Sequence, residues 1–225
     1  MKFNTSIDTF YLAMSVLFER YLSTYGGITD WYHQSFKLLN EKFSPNNVLY
    51  AGSWIHITPS LVFPRVVYVD MFSKMGQFFT NPEVIMYVTK NATSKNKPEL
   101  VFHQSDYNKD FGEEKNSFDL LISLNSGFVS QACSSYLKKD GLLLANNEHF
   151  DAIRAYVDPK FKVIGIFKKS NKLIETTKEV ETYFITIQCS SITLEMVEEN
   201  KKRSPSKAKF KLKKKAQLYL FQKIG

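Results

Sequence analysis

The sequence predicts an α/β fold, in which an open and mostly parallel sheet has helices on both faces and follows two N-terminal helices. From residue 47 onward, short and nearly continuous apolar runs alternate with helical stretches. No apolar run has the length of a membrane span, and no Gly/Ser-rich or Pro-rich linker divides the chain. With 225 residues, of which 44% are hydrophobic, the chain can bury a substantial core. This composition excludes collagen-like, coiled-coil and wholly disordered proteins.

The first 45 residues predict a helical cap on a domain formed by residues 46–225. Asp30 is a suitable N-cap for a second helix, which contains Trp31 and Phe43 and ends before Pro45. The Gly26-Gly27 pair separates this helix from an amphipathic one. The first helix is predicted from apolar residues three and four positions apart, namely Ile7, Phe10, Tyr11, Met14, Leu17, Phe18 and Tyr21.

Five apolar runs are typical of strands that are buried on both faces of a parallel sheet. They are Asn47–Ala51, Arg65–Asp70, Glu99–Gln104, residues 118–124 and residues 141–145. The intervals between them predict helices over residues 82–89, 128–138 and 152–156.

The last part of the sheet leaves two alternatives open. Phe161–Phe167 is predicted as the sixth strand, and residues 182–188 and 217–222 compete for the seventh. We favour residues 217–222, because they form a dense run of Leu, Tyr and Phe flanked by Lys. This choice predicts a seven-stranded sheet with an antiparallel last strand. Residues 168–215 then form one long polar insertion between the last two strands.

The positive charge is confined to one segment. The net charge is +8, yet residues 200–225 contain ten basic and no acidic side chains, whereas residues 1–199 have a slight acidic excess. Such a block is either a solvated stretch or an element that binds polyanions.

The Cys and His residues do not have the spacing of a metal site. Cys133 and Cys189 lie in apolar segments without a CxxC pattern, so we expect buried free thiols and a reducing, cytoplasmic location. His33, His56 and His103 are expected on the surface or in packing. His149 is different, because it follows the fifth strand in the sequence Asn-Asn-Glu-His, which could contain a general base.

Candidate ligand-binding residues follow the first three strands, and ligands of open α/β sheets bind at the carboxyl ends of the strands. Gly52 and Ser53 follow the first strand, and a missing Cβ lets a backbone approach a ligand. Asp70 ends the second strand, where a carboxylate can accept hydrogen bonds from ribose hydroxyls; the alternative is a helix N-cap. Asp106 follows the third strand and could accept from an adenine amino group, or be a turn residue.

The order of these features resembles the class I S-adenosylmethionine-dependent methyltransferases, over residues 47–224. The segment YAGSWIHITPSLVFPRVVYVD, then SDY and FDLLISLNSGFVSQACSSYLKKDGLLLANN, is similar to a group of uncharacterised bacterial proteins with this Rossmann-like fold. The resemblance implies that Gly52 and Ser53 lie beside the methionine part of S-adenosylmethionine, Asp70 on its ribose and Asp106 near its adenine. Asn125, after the fourth strand, would face the sulfonium and the acceptor. Asn125 and His149 are the two candidates for a catalytic residue.

The loop after the first strand departs from the pattern of this family. Tyr50 stands where the family has an acid, and Trp54 and His56 stand where it has further glycines. We therefore expect cofactor binding to be weak or selective. Asp70 would also suit the ribose of NAD in an oxidoreductase, but the full glycine-rich fingerprint of such enzymes is absent. The sequence also contains neither a P-loop nor the Asn/Asp-Pro-Pro motif of amino-group methylation.

Topology brings the basic block to the cofactor side of the predicted sheet. The insertion would form a mobile cationic rim that favours an anionic acceptor, either a nucleic acid or a phosphorylated metabolite. The alternative function is a non-catalytic module of the same fold that binds nucleic acid or another polyanion. The residues expected to make this contact are Lys201, Lys202, Arg203, Lys211, Lys213, Lys214 and Lys215.

Overall fold

The structure is a computed structural model that describes residues 16–94, 97–170, 172–188, 190–203 and 207–225. The first half of the first predicted helix, with Ile7, Phe10, Tyr11 and Met14, lies outside the described residues, and so does Cys189.

The described residues form one eight-stranded sheet with the order β3-β2-β1-β4-β5-β8-β6-β7. Strands β1 to β5 are parallel, and β8 pairs antiparallel with both β5 and β6. The Rossmann-like fold class with an antiparallel last strand is therefore confirmed. The strands are β1 (Asn47–Ala51), β2 (Arg65–Asp70), β3 (Glu99–Gln104), β4 (Phe118–Ser123), β5 (Leu137–Ala145), β6 (Phe161–Phe167), β7 (Leu173–Ile174) and β8 (Leu218–Lys223).

Two features of the predicted sheet are corrected. The predicted count of seven strands misses β7, a two-residue strand that pairs antiparallel with the end of β6. The predicted helix over residues 128–138 is too long, because β5 already begins at Leu137. The chain turns where Tyr136 N donates to Cys133 O, and extended backbone then buries Leu137 completely.

Helices lie on both faces of this sheet. They are residues 16–25 (α1), Trp31–Phe43 (α2), Lys74–Phe79 (α3), Pro82–Asn91 (α4), Val129–Cys133 (α5), Asp151–Tyr156 (α6), Thr177–Glu181 (α7) and Leu194–Lys201 (α8). Asp30 caps α2 as predicted, with its carboxylate accepting from Tyr32 N at 3.1 Å. Within the described residues, no helix is both long and apolar enough to cross a lipid bilayer.

The two faces of the sheet carry different parts of the chain. Alternate residues of β1 point to opposite faces, so Val48 and Tyr50 join one core cluster and Leu49 and Ala51 join the other. The described parts of α1 and α2 pack on the Tyr50 side, through Tyr21 and other buried rings. They therefore cover a face of the sheet rather than one end. The division into a cap of residues 1–45 and a domain of residues 46–225 stays a prediction.

The insertion between β6 and β8 is folded and packs on the opposite face. It contains β7, α7, α8 and a 3₁₀ turn at Thr182–Phe184, and it contributes buried Phe184, Val197 and Phe210 to the core. Residues 185–187 pair with residues 211–213, as Lys213 N donates to Ile185 O and Ile187 N to Lys211 O. The expectation of one mobile polar loop is wrong for the described part of the insertion, because it forms secondary structure and buries Phe184, Val197 and Phe210 in the core.

Candidate functional site

A cavity of about 280 Å³ opens at the carboxyl edge of the sheet, where the strand order reverses between β1 and β4. We call it the first cavity. Its walls are the four turns that follow β1 to β4, namely Gly52 with Trp54, residues 70–72, residues 105–107, and Asn125 with Ser126. Four predicted cofactor-binding residues, Gly52, Asp70, Asp106 and Asn125, therefore lie around one cavity.

Gly52 is required for a reason that differs from the predicted one. Its φ is +66°, and a Cβ at this position would lie 2.2 Å from the Cβ of Ser126. Ser126 Oγ in turn donates to Ala51 O at 3.0 Å. The missing side chain thus lets the turns after β1 and β4 contact each other, which closes one wall of the first cavity.

The carboxylate of Asp70 joins two of these turns. Its two oxygens accept from Trp54 N at 2.8 Å and from Phe72 N at 3.0 Å. The alternative role of Asp70 as a helix N-cap is wrong, because Ser73 precedes α3. Each carboxylate oxygen has a second lone pair, so Asp70 can still accept hydrogen bonds from a ligand.

Asp106 stabilises a turn through one carboxylate oxygen and leaves the other oxygen without a bond to a described residue. Oδ1 accepts from both Asn108 N and Asn108 Nδ2, at 2.9 and 2.8 Å. The backbone hydrogen bond from Asn108 lowers the pKa of Asp106, so its carboxylate is charged at neutral pH. The turn alternative for Asp106 is therefore confirmed. It leaves Oδ2 for a ligand.

Apolar side chains form the rim of the first cavity. Met71 and Phe72 are 66% and 62% exposed, and Trp54 lies between them and α1. The guanidinium carbon of Arg20 lies 4.9 Å from the ring centroid of Trp54. Exposed apolar side chains beside a cavity are typical of a ligand site. The sequence analysis missed Met71, Phe72 and Tyr107 as lining residues, although each lies within three residues of a predicted strand end.

The residues that depart from the family pattern contact each other. Tyr50 Oη and His56 Nδ1 are hydrogen bonded at 3.0 Å, and the His56 ring stacks on Tyr25 at 3.9 Å between centroids. Burial lowers the pKa of His56 to about 3, so the ring is neutral. His56 therefore does not crowd the cavity as expected; it anchors the loop after β1 to the N-terminal helices. Only Trp54 among the departures reaches the cavity.

Ser53 does not line the first cavity, contrary to its predicted place beside the cofactor. It is 1% exposed, and its Oγ has no hydrogen-bond partner among the described residues. The left-handed backbone at Gly52 and Trp54 turns the intervening side chain inward.

Asn125 connects the first cavity to the turn after β5. Its N donates to Asn146 Oδ1 at 3.2 Å, and Asn146 Nδ2 donates to Asn125 Oδ1 at 2.7 Å. His149 is exposed and lines no cavity found in the described residues, so its suggested role as a base stays a prediction. Its neighbours Asn147 and Glu148 instead line a second cavity of about 340 Å³, beside the insertion.

Asp151 is a fully buried carboxylate behind these turns that the sequence analysis missed. It accepts from Ser123 Oγ and Ser130 Oγ, each at 2.5 Å, and from Ser130 N at 3.0 Å. Burial raises the pKa of Asp151 to about 6 despite these bonds. An acidic residue at the start of a helix is usually exposed, so the sequence offers no signal for it.

Cys133 is buried and free as predicted, and burial raises its pKa to about 12. The described residues contain no group of three His, Cys, Asp or Glu side chains that could hold a metal ion.

Comparisons with known proteins concern the fold. No protein-family model and no curated protein matches the chain. Among solved structures, an O-methyltransferase from Bacillus cereus in complex with SAH is 8% identical, with coverage of 94% of this chain and 90% of that chain and a TM-score of 0.48. A putative O-methyltransferase from Klebsiella pneumoniae is 8% identical over 86% of this chain and 80% of that chain, with a TM-score of 0.44.

An arsenic(III) S-adenosylmethionine methyltransferase from Chlamydomonas reinhardtii is 20% identical, with a TM-score of 0.35. This alignment covers 45% of our chain and only 38% of the algal enzyme. All three TM-scores are below 0.5, so we base no inference on them.

Proposed function

We propose that this chain binds S-adenosylmethionine in the first cavity and transfers its methyl group to an acceptor. One observation supports this most: Gly52, Asp70, Asp106 and Asn125 converge on a cavity at the point where strand order reverses. In open α/β sheets this is the place where nucleotide-like ligands bind.

The side chains around the first cavity fit the parts of this cofactor. Asp70 has lone pairs for the two ribose hydroxyls, and Asp106 Oδ2 can accept from an adenine amino group. Met71 and Phe72 offer apolar contacts to the base. Two carboxylates at one cavity also favour a ligand with a positive charge.

When bound, the sulfonium supplies a methyl carbon that is activated for nucleophilic attack. Asp70 would hold the ribose of this cofactor and Asp106 its adenine, so that the methyl group would face Asn125. The chain has to hold the two reactants in line and exclude water, and we assign this positioning to Asn125 and the rim of Trp54 and Phe72.

Calorimetric titration with S-adenosylhomocysteine tests the proposal. Asp70→Asn keeps an acceptor oxygen for only one of Trp54 N and Phe72 N and removes the charge that ribose hydroxyls bind. We expect at least about tenfold weaker binding, as for a lost charge-assisted hydrogen bond. Asp140→Asn is the matched control, since Asp140 is exposed at the opposite edge of the sheet and has a φ of +62°, which Asn tolerates.

Two results would contradict the proposal. One is the absence of binding by a folded wild-type chain at millimolar ligand. The other is equal affinity in the Asp70 and Asp140 variants, because a ribose contact at Asp70 could not then exist. Circular dichroism and thermal melts confirm that each variant is folded.

The second candidate is a module that binds nucleic acid or another polyanion through the basic block. It is supported by exposed Lys211, Lys213 and Lys215, which form no ion pair with a described residue. Replacement of Lys211, Lys213, Lys214 and Lys215 by Gln should weaken RNA or DNA binding and make it less sensitive to salt, because fewer counterions are released. Lack of salt-sensitive binding by the wild type removes this candidate.

A further inference from the structure

We infer that the second cavity is the acceptor site and takes a small molecule with an apolar body and one anionic group. The inference rests on the proposed function only in naming this ligand the acceptor. The cavity holds about 340 Å³ and lies between the turn after β5 and residues 208–219 of the insertion and β8.

The second cavity adjoins the first at the same edge of the sheet. Strands β4 and β5 are neighbours, with Ser123 opposite Ala145. The hydrogen-bonded pair of Asn125 and Asn146 follows them, and Asn125 lines the first cavity. The next residues after Asn146, Asn147 and Glu148, line the second cavity. The hydrogen-bonded pair of Asn125 and Asn146 thus connects the turn that lines the first cavity to the turn that lines the second.

The floor of the second cavity is apolar. Phe150, Phe210, Leu212 and Tyr219 line it and are each less than 9% exposed. The atoms of these side chains that face the cavity offer an apolar contact to the body of a small molecule. They are too deep for stacking on successive bases of a nucleic-acid strand, which requires exposed aromatic platforms. The floor thus favours a small molecule over a polymer.

Some basic side chains of the insertion contact other side chains of the protein, and two others line the second cavity. Lys209 pairs with Glu199, Lys201 lies 4.7 Å from the ring centroid of Phe128, and Lys214 donates to Thr182 at 3.1 Å. Lys211 and Lys215 line the second cavity instead, and neither forms an ion pair with a described residue. The rim of this cavity therefore has positive charge that an anionic ligand can use.

The two cavities have opposite electrostatic character. Asp70 and Asp106 suit a cationic cofactor in the first cavity, whereas Lys211 and Lys215 suit an anion in the second. A cation and an anion in adjacent cavities attract each other, which favours the arrangement in which both sites are filled. Glu148 is the acidic group at the second cavity and can accept a hydrogen bond from a neutral hydroxyl of the acceptor.

Fluorescence titration of the full chain with three naphthalene probes tests the inference. The probes are naphthalene carboxylate, naphthyl phosphate and neutral naphthol, which share one apolar body. The variant pair Lys211→Gln with Lys215→Gln is compared with Lys207→Gln with Lys213→Gln. Both pairs remove two charges from the same block, but only the first pair lines the second cavity.

We expect the anionic probes to bind about tenfold tighter than naphthol, because a charged contact is worth that factor or more. The Lys211 and Lys215 variant should lose this preference, while the control pair stays within about twofold. Ala216→Phe, which fills the cavity, should abolish binding of all three probes. The tighter of the two anions identifies the anionic group as a carboxylate or a phosphate.

Several outcomes would overturn the inference: no probe binding, equal affinity for naphthol and the anions, equal losses in the two lysine pairs, or displacement of the probe by an oligouridylate. The titration is independent of cofactor binding. S-adenosylhomocysteine binding without probe binding removes this inference and leaves the proposed function. Lysine-dependent probe binding without S-adenosylhomocysteine binding removes the proposed function and leaves a site for anions.

Discussion

The two cavities at the carboxyl edge of the sheet are built from the chain in different ways. The walls of the first are four turns, each of which directly follows a parallel strand. The second joins the turn after β5 to residues about 60 positions later, in the insertion and at the start of β8. A site built from strand ends is set by sheet topology, whereas a site built from an insertion depends on how that insertion packs.

The backbone of the two cavities differs as well. Gly52, Trp54, Asn125 and Gly127 adopt positive φ within the turns around the first cavity. Glycine adopts positive φ at no steric cost, but Trp54 and Asn125 store strain that the surrounding structure must compensate, and such residues cluster at functional sites. At the second cavity, Phe150 is the described lining residue with positive φ, and the wall consists mainly of packed side chains. We therefore expect the first to be sensitive to backbone changes and the second to side-chain truncation.

The largest effect is expected at the second cavity, from Phe210→Ala. Phe210 is 4% exposed and belongs to the same core cluster as β1 and β5. Truncation of a buried Phe costs about 3 to 5 kcal/mol of unfolding free energy. Chemical denaturation measures this cost, and the transition should remain a single one if the insertion belongs to the cooperative core.

Ile187→Ala is the control in the same insertion. Ile187 is 58% exposed, so its truncation should change the unfolding free energy by no more than about 0.5 kcal/mol. If Phe210→Ala costs as little as Ile187→Ala, the insertion is not part of the core and the second cavity is not a preformed site.

The next effect is expected at the first cavity, from Gly52→Ala. The new Cβ would collide with Ser126 Cβ, and Ala would have to adopt a φ of +66°. Left-handed backbone and overpacking together cost about 2 to 4 kcal/mol of unfolding free energy. The affinity for S-adenosylhomocysteine should fall as well, because the two turns that form the wall move apart.

Ser126→Gly provides the matching rescue, since it removes the atom that collides. Combined with Gly52→Ala, it should restore at least about 1 kcal/mol relative to the sum of the single changes. Strict additivity would mean that the two turns do not touch. The conclusion that contacts between turns form the wall of the first cavity would then be wrong.

The smallest effect concerns pH and Asp151, which lies behind both cavities. Because burial raises the pKa of Asp151 from 3.8 to about 6, the folded state binds its proton more tightly than the unfolded state does. The contribution of the neutral carboxyl to the free energy of unfolding is fully present below pH 3.8 and is lost as pH rises through about 6. The contribution is about 2 to 3 kcal/mol.

Asp151→Asn should flatten this part of the stability profile, which is measured by denaturation at several pH values between 4 and 7. The positive charge of Arg154 lowers the pKa of Asp151, so Arg154→Leu should move the loss of stability to higher pH. A profile that is the same in the wild type and the Asn variant would rule out the raised pKa.

The sheet was largely predictable from the sequence because its central strands β1, β2 and β4 are buried on both faces, although the edge strand β3 is only partly buried. Such strands must be continuous in apolar residues, and β1, β2, β3 and β6 have the predicted bounds. The strand β7 and helices α3, α7 and α8 were missed, because they are short and have mixed polarity, so tertiary packing decides them.

The candidate site was predictable where a residue ends a strand, as Asp70 does, or follows it within two residues, as Asp106 does. It was not predictable where a side chain is turned inward by left-handed backbone, as with Ser53. The packing of His56 agrees with what was expected of this histidine. The second cavity could not be inferred at all. Its lysines looked like one solvated block, and only the packing of Phe210 and Leu212 separates Lys211 and Lys215 from their neighbours.

The position of β8 between β5 and β6 has a consequence for biosynthesis. The strand β6 ends at Phe167 and β8 begins at Leu218, about 50 residues later, so β6 cannot join the sheet until those residues have been made. At about 5 to 20 residues per second, this takes roughly 3 to 10 s on the ribosome. During that time β5 and β6 each present an open apolar edge, which invites association between nascent chains. The lysine-rich segment emerges just before β8, and we expect its mutual repulsion to keep neighbouring nascent chains apart until the gap is filled.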